Sequence, residues 1–184
     1  MLSADKLVPR IHHQASLPEG EPFRQALVGD LVLVYTDGSQ LLARAQLAEL
    51  GLTDQGLLEL AVENLSRLLT SLTGQVVSGA KFGLEEEGPV FTSLKVGQDL
   101  EACLLLLPHV WNELAAGGTG ELVVGVPGRD RIMFTSSDNI VGQMAMRKLM
   151  EAAYEHAGAH ALSQQLFVWR DNAWQVFSEP AQVP

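Results

Sequence analysis

Arg129 and Asp130 are adjacent, behind a proline-glycine pair, in Val124-Gly125-Val126-Pro127-Gly128-Arg129-Asp130. A guanidinium is a planar fork that fits a carboxylate or phosphate, and a neighbouring carboxylate can orient it. As plain structure the same pair closes a hairpin, with its charges in water or on a helix end. Asp99 stands just before the apolar run to Leu107, where it reads first as a helix cap and second as an acid or base near Arg129. Asn64 falls on or beside an apolar helical stripe. A buried amide must match its donors and acceptors, so it either ties down a loop or strand edge or lines a pocket. Trp111 completes the candidate binding set of Arg129, Asp130, Asn64, Asp99 and Trp111.

Other reactive types are placed less favourably. Cys103 is the one cysteine and lies against Leu104–Leu107, where apolar burial raises a thiol's pKa and makes it inert. His109 is the base nearest to it in sequence. His156 and His160 have the i,i+4 spacing of a metal pair, but Gly158 between them ends the helix. His12-His13 is a second pair. Met133, Met144, Met146 and Met150 read as core filler. The chain lacks Gly-x-Gly-x-x-Gly, a P-loop, His-Glu-x-x-His and Gly-x-Ser-x-Gly. No catalytic residue, metal or cofactor is assigned.

The elements that position these residues follow from periodicity. Residues 1–22 are punctuated by Pro9, Pro18 and Pro22 and are expected as a loose arm or short helix. Leu31–Tyr35 is a continuous β-rich run stopped by Asp37-Gly38, which fits a central strand. Residues 40–50 read as a short helix. Thr53 caps a longer one with Leu57, Leu58, Ala61, Leu65, Leu68, Leu69 and Leu72 on one stripe, Glu63 and Arg67 paired on the wet side, and Gly74 at the end. Strands are expected at 75–82 and 89–96, joined by a solvated acidic turn at Glu85-Glu86-Glu87.

Residues 99–107 are ambiguous between strand and helix, with helix favoured, and Pro108 opens a further short helix. Residues 121–126 and 131–135 form a β-pair, with Pro127-Gly128 suited to the centre of a type II turn. Ser137 or Asp138 is expected to cap a helix to Ala157, with Val141, Ala145, Leu149, Met150 and Ala153 inward. An Asp171-Asn172 loop sets Trp169 opposite Trp174 and Phe167 opposite Val176, all on one face. That face covers the core or meets a partner.

The sum is one α+β domain at 23–178, with an arm at 1–22 and a tail at 179–184. It has an antiparallel or mixed sheet, helices mainly on one face and a C-terminal hairpin. The chain has 184 residues, 47% of them hydrophobic, enough for a real core. Its 22 acidic and 12 basic residues give a net charge of −10, which repels phosphate backbones and anionic lipid. Nucleic acid and membrane are therefore not expected as partners, no leader or spanning segment is expected, and the compartment expected is the cytoplasm. A protein partner, an anionic small molecule and a homodimer all stay open.

The middle of the chain resembles a bacterial family of unknown function typified by YtpQ. The resemblance lies in Ala61-Val62-Glu63-Asn64-Leu65, in Asp99-Leu100-Glu101-Ala102-Cys103 with the following leucines and Trp111, and in the strand ending Pro127-Gly128-Arg129-Asp130. Leu100 stands where the family tends to have an aromatic, and Cys103 where it has serine. The resemblance implies a soluble bacterial protein of compact α/β character and implies no reaction. The functions expected are a non-catalytic binding or regulatory module, an enzyme on an anionic small molecule using Arg129 with Asp130 or Asp99, or an acidic immunity-type protein that binds a toxin.

Overall fold

A computed structural model describes residues 3–17, 22–74, 84–86 and 91–178. The class is α+β, with two antiparallel sheets. The smaller sheet contains β1 (Val8–His13), β2 (Gln25–Val28) and β3 (Leu31–Thr36), in the order β1-β3-β2. β3 is central, as its apolar run predicts, and Leu31 to Tyr35 are all buried. The N-terminal arm needs correction. Val8–His13 pairs along its whole length with β3, from Val8 opposite Thr36 to His13 opposite Leu31. Pro9 is compatible with this because β1 is an edge strand. Pro9 and Ile11 turn inward, while Arg10 and His12 take the other face.

After α1 (Arg44–Glu49), the Thr53 hydroxyl caps α2 (Asp54–Thr73) by accepting from the Gly56 N–H at 3.0 Å. Gly74 closes α2 in the left-handed conformation, φ +71°. Leu57, Ala61, Leu65 and Leu69 of the expected stripe are fully buried, and Leu72 at its end is 37% exposed.

The larger sheet runs β4 (Leu84–Glu86), β5 (Thr92–Leu94), β7 (Arg131–Ser136), β6 (Leu122–Gly128), β8 (Leu166–Arg170), β9 (Ala173–Val176) in spatial order. Glu85 and Glu86 pair with Ser93 and Thr92, so they belong to a strand and not to a free turn. An edge strand accommodates charged residues readily. The strand expected at 75–82 lies outside the described residues. Residues 99–107 are neither strand nor α-helix: Ala102–Leu106 form a buried 3-10 helix, and α3 (Pro108–Ala116) starts at Pro108 as expected. Cys103 lies in this buried turn with its sulfur 3.6 Å from the Pro9 carbonyl oxygen, and burial pushes its thiol up to about 11.

The C-terminal hairpin matches its prediction in register. Trp169 faces Trp174 and Phe167 faces Val176 across a loop in which Asp171 and Asn172 both have positive φ.

The helix α4 (Ile140–Ala157) is capped by Asn139, whose side chain accepts from the Gly142 N–H at 2.9 Å. It buries Gly142, Gln143, Met146 and Met150, while Val141 is 68% exposed. The inward face is therefore rotated from the one expected. The face turned to the sheet keeps the expected Met150, which fits over Gly125, but adds Gly142, Gln143 and Met146 in place of Val141. A Cβ at Gly125 would run into the Met150 sulfur.

Helices cover both faces of the larger sheet, where the sequence placed them mainly on one. On one face α4 packs Met146 and Met150 against Val123, Met133 and Leu166. On the other, the 3-10 turn and α3 bury Trp111 with Val124, Ile132, Phe167 and Trp169, in a core continuous with the smaller sheet and α2. Among the described residues no helix is long and apolar enough to cross a membrane.

Candidate functional site

Gly128 pairs with Arg131, so the two-residue loop is Arg129-Asp130, and Pro127 and Gly128 end β6 rather than forming the turn. Gly128 is needed here for close approach and not for positive φ. A Cβ would lie 3.0 Å from the Asp130 carboxylate and 3.1 Å from the Ala157 Cβ. The loop is clamped by backbone on both sides. Its Arg129 carbonyl accepts from the Ala102 N–H at 3.1 Å, and the Arg129 N–H donates to the His160 carbonyl at 3.2 Å. A rigid loop between a buried 3-10 turn and the end of α4 holds the guanidinium in place.

The Arg129 side chain is half-buried, and its neighbours are not the usual ones for arginine. One Nη lies 3.0 Å from both ring nitrogens of His12, and the other lies 3.5 Å from His160 Nδ1. Its Nε is buried with no hydrogen-bond partner. Burial first, and then the charge of Arg10, push the guanidinium below its ordinary pKa, with Asp99 opposing. Arginine keeps its proton regardless. The Nε is sealed from a ligand, so any capacity for an anion lies at the Nη groups, which meet histidine rings rather than carboxylates.

Asp99 and Asp130 line a cleft of about 230 Å³ together with His156 and His160. Asp99 is not a helix cap. It has φ +55°, in the left-handed region, and its carbonyl accepts from Arg10 Nη1 at 3.2 Å. Glu101 fixes the approach to it: the buried carboxylate accepts from the Gly97 and Val96 N–H groups at 2.8 and 3.2 Å. A second cleft of about 230 Å³ lies on the other side of Asp130, beside Arg131 and Leu149. Among the described residues no group of three or more His, Cys, Asp or Glu is arranged to hold a metal ion.

Thus Arg129, Asp130 and Asp99 come together and the other two candidates do not. Asn64 is in α2 under the N-terminal segment. Its amide donates to the Leu7 carbonyl at 2.8 Å and the Ala4 carbonyl at 3.0 Å, and its oxygen accepts from Arg67 at 2.8 Å. It ties down the strand entry. Asn64→Leu leaves buried carbonyls unpaired and should cost about 1–3 kcal/mol. A urea midpoint equal to wild type would refute that role. Trp111 is fully buried in the core and donates to the Leu104 carbonyl at 2.8 Å.

Arg10 is the residue the sequence did not single out, and His12, noted there only as half of a histidine pair, sits instead against Arg129. The signal lay in Pro9-Arg10-Ile11-His12, where strand alternation sends Arg10 and His12 to one face. Burial first, and then the charges of Arg129, Arg10 and His160, depress His12 to about 4. An unfolded histidine titrates near 6.5 and takes up its proton first as pH falls. The stability that neutral His12 contributes is therefore complete above pH 6.5 and is lost as pH falls towards 4. Allowing for its partial exposure, about 1–2 kcal/mol is at stake. Urea midpoints across this range should fall less steeply in His12→Gln. An unchanged slope would show that the loss comes from other groups.

No protein-family model, curated protein or solved structure matches the chain. Fold and site define it as an α+β protein with a half-buried arginine beside a small mixed Asp/His cleft.

Proposed function

We propose that this protein is a non-catalytic binding module for a small anion, a carboxylate or phosphate held by Arg129 at the mouth of the Asp99–Asp130 cleft. The observation that carries this is the Arg129 guanidinium, half-buried with its Nη groups against histidine rings rather than carboxylates. Partial desolvation of a cation that Asp99 offsets only in part is costly, and an anion offsets more of that cost. The resemblance to the YtpQ-type family belongs to this proposal and adds no substrate to it. So does a cytoplasmic setting. The net charge of −10 slows the approach of an anion and disfavours nucleic acid, so recognition rests on the local geometry. A second reading, an enzyme on the same class of ligand, draws on Asp99, Asp130, His156 and His160 sharing one cleft.

The test is thermal melting and calorimetric titration with phosphate, citrate and glutamate. At a hundredfold excess over Kd, a ligand stabilises the fold by about 2.7 kcal/mol. The expected result is a saturable rise with at least one of these anions that is absent in Arg129→Gln. A folded wild type that responds to none of them, or a variant that responds equally, would sink the proposal.

A further inference from the structure

A third cleft, of about 410 Å³, lies away from Arg129, between the N-terminal segment, the Asp37-Gly38 turn and α2. It falls within the range of small-molecule sites. Its walls are fixed, since Asn64 bonds the Ala4 and Leu7 carbonyls across the gap between α2 and the segment. Val8 and Leu68, both partly buried, supply apolar surface, extended by the aliphatic stems of Lys6 and Arg10.

The charges on the lining are not equally available. Asp37 accepts from the Ser39 N–H at 2.9 Å, the Ser39 hydroxyl at 2.7 Å and the Gln40 N–H at 3.2 Å, so its own turn occupies it. Asp5 accepts from the Ser3 hydroxyl. Arg67 is engaged by the Asn64 oxygen at 2.8 Å and by Glu63 at 3.5 Å. Arg10, by contrast, donates to a neutral acceptor, the Asp99 carbonyl at 3.2 Å. Lys6, on an exposed turn, makes no ion pair among the described residues. Both acids keep their charge, with Asp5 in electrostatic reach of Lys6 and Arg67, so the lining holds three cations against two anions, and Lys6 and Arg10 are the cations without a carboxylate bonded to them.

We propose that this cleft binds an organic acid with an apolar body, its carboxylate at Lys6 and Arg10 and its hydrocarbon over Val8 and Leu68. The site is a different cleft from the Arg129 one, and Lys6, Val8 and Leu68 belong to it alone, while Arg10 also bonds the Asp99 carbonyl. Amide chemical shifts of the full chain are followed during titration with octanoate, octylamine and acetate at equal submicellar concentrations. Octanoate is expected to shift Lys6, Val8 and Leu68 saturably, with the other two probes producing little change. Lys6→Glu, on an exposed position, should weaken octanoate at least fivefold, and Arg129→Gln should leave it unaltered. No saturable shift at these residues, an equal response to octylamine or acetate, or indifference to Lys6→Glu would overturn the proposal. Loss of octanoate binding in Arg129→Gln would assign the acid to the other cleft and overturn it too.

Discussion

A chain cut after Gln164 should be insoluble or molten, because the removed hairpin is part of the core of the larger sheet. β8 pairs with β6 from Leu122 opposite Trp169 to Gly125 opposite Leu166. Leu166, Phe167, Val168 and Trp169 are all buried, with Phe167 fully so. Each aromatic removes roughly 150–250 Å² from water, about 4–6 kcal/mol at roughly 25 cal/mol per Å². Two or three such losses rival the whole stability of a domain, about 5–15 kcal/mol.

The cut also removes anchors that cross to α3 and the 3-10 turn. Trp169 donates to the Asn112 side chain and Trp174 to the Leu105 carbonyl, each at 2.8 Å. Finally it turns β6, buried along its whole length, into an open edge, which promotes aggregation. Sedimentation and near-UV circular dichroism report the outcome. A truncated chain that stays monomeric and melts cooperatively at the full-length temperature would refute this.

The parts of the fold legible in the sequence are those set by local chemistry. Asp171-Asn172 specifies its hairpin because both residues tolerate positive φ, and the register then follows from the loop length. Thr53 and Gly74 bracket α2 because a hydroxyl and a left-handed glycine satisfy helix ends. Leu31–Tyr35 declares a central strand because it is apolar on both faces.

What stayed illegible depends on a distant partner. β1 is six residues with a proline, and it becomes a strand only because β3 supplies the ladder. α4 turns Met146 inward with Met150 and leaves Val141 out because Val123, Met133 and Leu166 of the sheet supply the surface it packs on. The acidic run at Glu85-Glu86 looks like a turn until Thr92 and Ser93 pair with it.

The site divides along the same line. Arg129 and Asp130 are adjacent by sequence, and their loop position follows from the hairpin they close. Asp99 joins them because the Arg129 carbonyl holds the Ala102 N–H, which brings the segment just after Asp99 to the loop. Arg10 and His12 arrive from the other sheet, 117 residues from Arg129 in the case of His12, and no local pattern encodes that contact. Arg10 reaches both regions: it lines the larger cleft and bonds the Asp99 carbonyl beside the smaller one.

Trp111→Ala should be the most destabilising single change among the candidate residues, about 3–5 kcal/mol. The indole is fully buried. It meets Trp174 edge-on at 5.0 Å between ring centroids and Phe134 at 6.1 Å. Its N–H donates to the Leu104 carbonyl at 2.8 Å, which holds α3 against the 3-10 turn. Alanine removes the ring contacts, opens a cavity and strips the carbonyl of its donor in one step. Trp111→Phe keeps most of the apolar contact and loses the donor, so it should cost less, about 1–3 kcal/mol.

The graded pair separates a core residue from a ligand contact. A tryptophan that served a ligand from the surface would change stability within about 0.5 kcal/mol and show its loss in affinity instead. Denaturant midpoints for the two variants decide between these. A Trp111→Ala protein as stable as wild type would place the indole in a binding surface, against the packing seen around it.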